Sequence, residues 1–251
     1  MVRRTGIAAL ALLTVLAASA AAPARADADG GCVPEFRADT GRGAARVLDI
    51  VADAPDEAAA DRALAEQACL VRVGGTAGTA TTGPVAVAAP DVYWIATVAG
   101  KDRWVAVTDW DFTAVPPPYA MTGAQGVVTW FSRPVTPITR VVHHSGVTSQ
   151  YPNVSSEDTE FEGPYGLSFL IDPQTSATDT DVATGRSALV FQGTGACGNL
   201  TARGAFAHTW SSTDITGLTV PSAAGPSVSW TSTANRTLVN GPSTTVSGVC
   251  G

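Results

Sequence analysis

After residue 87 the chain becomes a succession of short apolar or alternating runs, each closed by Gly, Pro, Asn, Asp or Ser. Val92 to Val98, Trp104 to Phe112, Val127 to Phe131, Ile138 to Val142 and Leu167 to Ile171 read as strands. Ala188 to Phe191, Phe206 to Trp210, Val228 to Trp230 and Thr237 to Val239 continue the series. Gly100-Lys101-Asp102 turns the first pair into a hairpin, and Pro116-Pro117-Pro118 is a break that no central strand tolerates. No helical pattern alternates with these runs and no repeat period emerges. The rhythm therefore predicts a mainly β chain, an antiparallel β-sandwich or jelly roll over 87–251.

A different period precedes it. Gly43 to Asp53 places Val47, Leu48, Ile50 and Val51 at helical spacing, and Ala54-Pro55 breaks the pattern. Pro55, Asp56 and Glu57 suit the first turn of a second helix, which the spacing carries to about Arg72. Gly74 to Gly83 is rich in Gly, Thr and Ala, so 74–86 reads as a linker between a helical hairpin at 27–73 and the sandwich. The four cysteines form an even set, consistent with two disulfides. Antiparallel helices bring the start of the first beside the end of the second, which favours Cys32–Cys69 and leaves Cys197–Cys250 to staple the tail.

Residues 1–26 carry Arg3 and Arg4, an apolar run from Ile7 to Ala22, and Ala24-Arg25-Ala26. That is the pattern of a cleaved export signal, so the chain is expected to be secreted into an oxidising space. No lipid-attachment box precedes Cys32 and no hydrophobic tail ends the chain, so a released protein without a membrane anchor is expected. Three of the 15 Lys and Arg residues leave with the signal, so the processed chain carries ten more acidic than basic residues. Nucleic acid is excluded as a partner on that balance, because no basic patch exists to displace counterions. Lys101 is the lone lysine among many Arg and Ala, a bias typical of a GC-rich bacterial genome.

Several constellations could carry chemistry. Ile138-Thr139-Arg140-Val141-Val142-His143-His144-Ser145-Gly146 resembles the first metal-ligand strand of zinc-dependent peptidoglycan amidases. Gly166-Leu167-Ser168-Phe169-Leu170-Ile171-Asp172 is similar to another segment of that family, and His208 is the matching second-ligand candidate. The resemblance implies a zinc-activated water attacking an amide. It covers scattered residues only. Tyr151-Pro152-Asn153 and an acidic loop stand where a helix is expected, and the chain has three His in all. No metal is the preferred reading, with one His of the pair pointing inward and the other solvated.

Asp158, Glu160 and Glu162 would share one strand face, where neighbouring carboxylates could form an acid/base pair for glycoside cleavage. A solvated acidic loop is the preferred alternative. Asp109 and Asp111, and Asp179 and Asp181, could ligate Ca²⁺, although acidic turn residues are the simpler reading. Six Trp residues offer stacking faces, and Trp110, between Asp109 and Asp111, is the best exposed candidate for binding. Asn153, Asn199 and Asn235 are sequons, which marks surface loops. No nucleophile motif occurs, and paired cysteines leave no free thiol.

The sequence thus favours a secreted, non-catalytic protein that binds an extracellular glycan or protein, without cofactor. The alternative is a secreted hydrolase of cell-wall or plant polysaccharide, acting through zinc or carboxylates. An inhibitor of secreted proteases is a third reading, which would use the loop at Pro116 to Tyr119.

Overall fold

The computed structural model describes residues 32–75, 78–115, 121–155 and 159–251. The export signal, the Pro116 to Tyr119 loop and Asp158 lie outside the described residues. Two helices come first, α1 (Gly41–Asp53) and α2 (Glu57–Ala68). The Thr40 hydroxyl accepts from Gly43 N–H to start α1, and the Asp56 carboxylate accepts from Ala59 N–H to start α2. Pro55 therefore sits before the cap rather than in the first turn. The second helix is shorter than expected. Cys69 takes a left-handed φ of 57°, and Leu70 N–H donates back to Leu64 O, a Schellman-type closure. Arg72 then belongs to a strand. Cys32 is bonded to Cys69 and Cys197 to Cys250, the pairing favoured from the sequence.

The strands are β1 (Val71–Gly74), β2 (Thr79–Thr82), β3 (Val85–Ala88), β4 (Asp91–Val98) and β5 (Lys101–Phe112). Next come β6 (Gln125–Phe131), β7 (Val135–Ser145), β8 (Val154–Ser155), β9 (Thr159–Gly163) and β10 (Gly166–Ile171). The last five are β11 (Thr184–Gly193), β12 (Gly198–Thr209), β13 (Ile215–Ser222), β14 (Gly225–Trp230) and β15 (Arg236–Val249). One antiparallel sheet runs β1-β4-β5-β11-β7-β8, and a second runs β15-β12-β6-β10-β9. In the first, β3 and β4 lie end to end along β5, with Ala89-Pro90 between them. β1 and β2 lie along β4 and β3 in turn. The stretch read as a linker, 74–86, thus supplies β2 and the start of β3. Its Thr-Ala-Thr-Thr run is poor in apolar residues because β2 is a mostly exposed edge.

The two sheets face each other across a core that includes Trp104, Trp110, Phe131, Phe169, Phe191 and Phe206. Both outer faces are also covered. On the first sheet, Val105, Val107, Ala188 and Val190 receive Val47, Leu48 and Leu64 of the helices. On the second, Val128, Trp130, Ala205 and Ala207 receive Ile215, Leu218 and Val220 of the β13-β14 hairpin. Central strands therefore read as apolar on both sides, and every residue of β6 is buried. Antiparallel sheets more often leave one face to water. A polar cluster lies between the sheets. The Thr108 hydroxyl is 2.8 Å from that of Thr129, and Thr129 is 3.3 Å from the Ser187 hydroxyl. Gly204 faces Thr108 so closely that a Cβ there would overlap its methyl group.

Candidate functional site

The outward register of β5 changes character along its length. Val105 and Val107 lie under the helices, while Asp109 and Asp111 continue the same face beyond them. Neighbouring strands change at the same level. Arg186 of β11 pairs in register with Asp109 on one side and with His143 of β7 on the other. All three side chains therefore stand on one face. Arg186 Nε lies 3.1 Å from an Asp109 carboxylate oxygen, and His143 Nδ1 lies 3.1 Å from Asp49 of α1.

Beside this row opens a cleft of about 330 Å³, between the α1-α2 turn and the ends of β1, β2 and β3. Asp56, Glu57, Arg72, Asp91 and Asp109 supply its charged walls. Arg72 is the hub. Its guanidinium pairs with Asp91, lies 2.8 Å from Asp61 and 3.2 Å from Glu57, and donates to the Tyr93 hydroxyl at 2.6 Å. It also sits over the Tyr93 ring, 4.8 Å from the centroid. The Tyr93 hydroxyl passes its own proton toward Asp61 at 3.1 Å.

Crowded carboxylates in a half-buried place titrate unusually. Burial pushes Asp109 up to about 7; Arg186 opposes the shift, and Asp91 and Asp111 add to it. Asp91 is likewise raised by burial, against the pull of Arg72. Burial raises the Tyr93 phenol, with Asp91 reinforcing it. For Arg72, burial works downward but is outweighed by Asp91 and its other partners, so the cation is held firmly. His143 is lowered by burial despite Asp49. The arrangement offers a fixed cation, several carboxylates that can receive positive charge, and one carboxyl able to exchange a proton near neutrality.

The residues singled out from sequence have varied places. Asp109 lines the cleft, and Asp111 is exposed at the end of β5. Trp110 corrects an expectation. It is 1 % exposed, its ring stacks on Phe206 at 5.2 Å, and its indole N–H donates to Val182 O. Alternation sends it inward between its two Asp neighbours. Gly185, its cross-strand partner, leaves the space that the indole fills. Trp104 and Trp130 are buried as well.

The three histidines do not converge. His143 and His144 alternate to opposite faces, and both are buried, so neither is solvated. His144 Nδ1 lies 2.8 Å from Asp181 O. His208 is in the facing sheet, with Nδ1 2.6 Å from Gln125 Oε1, and burial lowers it to about 4. Among the described residues no three His, Cys, Asp or Glu side chains are grouped to hold a metal ion.

Glu160 and Glu162 do share an exposed face, and Glu162 pairs with Arg140 at 2.6 Å. Asp179 is a buried clasp. Burial works to raise it, but bonds from Thr148, Val147 and Thr180 outweigh that and bring it down. Asp181 accepts from Gln174 N–H. Both carboxylates thus organise loops.

Sequence reasoning passed over Arg72, Asp91, Tyr93, Arg186, Asp49 and Asp61. One signal was available: the outward register of β5 turns from Val to Asp while the inward register, Thr108 apart, stays apolar. Such a turn marks where a covered face opens to solvent.

No family model matches the chain, and no curated protein does. Among solved structures that are similar in part is one described as "pH-induced modulation of Streptococcus parasanguinis adhesion by Fap1 fimbriae". It is 15% identical, covers 72% of this chain and 96% of its own, and has a TM-score of 0.32. That likeness is too loose to carry an argument about this chain.

Proposed function

We propose that the chain is a secreted binding protein whose cleft beside Asp109 and Arg72 receives a cationic group of an extracellular glycan or protein. What carries the reading is the excess of carboxylates, Asp56, Glu57, Asp91 and Asp109, around one Arg in an open cleft. Two disulfides suit an oxidising exterior, and no described helix is long and apolar enough to cross a membrane. With Trp110 inside the core, a stacking platform at that position is absent, so charge rather than ring stacking is the basis of recognition.

A second reading is favoured by one observation. A carboxyl that titrates near 7 beside another carboxyl is the pattern of a general acid, so Asp109 and Asp91 could serve a hydrolase. Retention on chitosan separates the two when compared with its acetylated form, which has the same sugar without the charge. Binding without turnover gives retention on chitosan that falls in Asp91→Asn/Asp109→Asn. It persists in Glu160→Gln/Glu162→Gln, which changes charge equally elsewhere. Soluble sugar released over time, and abolished by Asp109→Asn, would overturn the binding reading in favour of the hydrolase. Equal loss in both double variants would reduce retention to general acidity.

A further inference from the structure

The walls of the Asp109 cleft are of two kinds. Charge stands at Asp91 and Asp109 of the sheet and at Asp56 and Glu57 where α2 begins. Between these the lining is built of methyl groups, from Val51, Ala54, Ala60, Ala88 and Ala89. Thr79 pairs in register with Ala88, so both stand on one face and reach the cleft together. Thr79 carries the one hydroxyl among the described lining residues, and none of them is aromatic or a side-chain amide. The Tyr93 ring nearby is buried under the Arg72 guanidinium.

A sugar ring is held by an aromatic face and by hydroxyl or amide partners for its own hydroxyls. Against methyl walls those hydroxyls would lose the hydrogen bonds they make in water. An unbranched alkyl stem gains by burial in the same place. The charged end is selected as well. Arg72 already spreads its planar fork over Asp61, Asp91 and Glu57, and Arg186 Nε stands 3.1 Å from Asp109. Asp109 Oδ1 is nonetheless buried without a hydrogen bond, although the side chain lines the cleft. A carboxylate in that state is completed by a compact ammonium, which needs one oxygen, better than by a further guanidinium, which needs two in a plane.

We propose that the cleft takes a lysine side chain presented by a partner protein, with the alkyl stem along Ala60, Ala88 and Ala89 and the ammonium between Asp91 and Asp109. The proposal rests on the reading of this cleft as a cation site, and it selects protein over glycan as the source of the charge. The net charge of the chain, −7, favours a basic surface around that lysine.

The test is an amide NMR titration of the purified chain at pH 7. The probe is an acetylated, amidated five-residue peptide with one Lys flanked by Gly, so that the ammonium is its sole charge. It should shift the amides of Thr79, Ala88 and Ala89 and bind about tenfold more tightly than the methyl glycoside of glucosamine. Ornithine and then diaminobutyrate in place of the Lys keep the charge and remove one methylene at a time, and each step should weaken binding about fourfold. Ala88→Leu, at a half-buried position of β3, fills the place of the stem without altering charge and should weaken the peptide about tenfold. Equal affinity across the three stem lengths overturns the proposal, as does a sugar amine bound as tightly as the lysine peptide. In both cases charge alone is recognised and the cation site stands. Shifts from neither probe, with chitosan not retained, remove the cation site as well.

Discussion

The two outer faces of the sandwich are covered by different means and end differently. The face under β13 and β14 is sealed with apolar side chains, Trp130 against Gly225 and Leu218 over Gly126. The Ser168 hydroxyl is used internally, donating to Leu218 O at 2.6 Å. The face under α1 and α2 is sealed only in part. Past Val105 and Val107 the same strand presents Asp109 and Asp111, and the cleft opens there. A hairpin extends its contact strand by strand, whereas a helix pair ends at a turn. The turn at Ala54-Pro55 leaves charged residues of the sheet facing a hollow instead of a neighbour. The proposed binding cleft thus lies on the helix-covered face, and the hairpin-covered face presents no such opening among its described residues.

The largest effect that can break this contrast comes from the disulfides. Replacing Cys32 and Cys69 by Ser should cost about 3–4 kcal/mol in denaturant unfolding. It should speed amide exchange in α2 and leave the hairpin protected. Equal loosening of both faces would erase the distinction.

Core truncation comes next. Leu218→Ala and Leu48→Ala should each cost about 3 kcal/mol. Chitosan retention at a temperature where both variants are folded should fall only in Leu48→Ala.

His208 sharpens the comparison through pH. Its pKa of about 4 in the fold lies below the usual imidazole value of about 6.5, so the fold favours the neutral ring. Stability is therefore complete above about 6.5 and declines as pH falls through about 4, by roughly 2 kcal/mol. Unfolding curves of His208→Gln between pH 7 and 4 should have a shallower acid limb.

Asp109 acts in the opposite sense and by less. Its carboxyl is raised, so the folded chain holds the proton that the unfolded chain releases, and stability drops as pH rises from about 4 through about 7. Asp109→Asn should gain about 1 kcal/mol at pH 8 and nothing at pH 4. A variant that loses stability at pH 8 would show that the Arg186 pair outweighs burial.

Much of the scaffold was legible in the residues. The helical spacing of Val47 and Leu48 and the Pro55 break located the hairpin, and antiparallel helices implied the Cys32–Cys69 pair. Strands such as β5 and β6 announced themselves because both faces are buried. β2 did not, since an edge strand of Thr and Ala has no apolar face to display. β13 was hidden by Gly217 and Pro221. The inward turn of Trp110 depends on Gly185, distant in sequence and adjacent only once β11 has paired with β5. Of the cleft only Asp109 stood out in the sequence, and the rest was illegible for the same reason. Asp56, Arg72, Asp91 and Asp109 come from four separate stretches of chain, and the first three lie in no motif.

The most direct measurement is residue-level amide exchange of the purified chain with and without soluble chitosan oligomers. The account predicts slowed exchange around Ala54–Glu57 and Ala89–Asp91, with no change across Ile215–Trp230. Protection confined to Ile215–Trp230, or oligomers cleaved during the experiment, would contradict it.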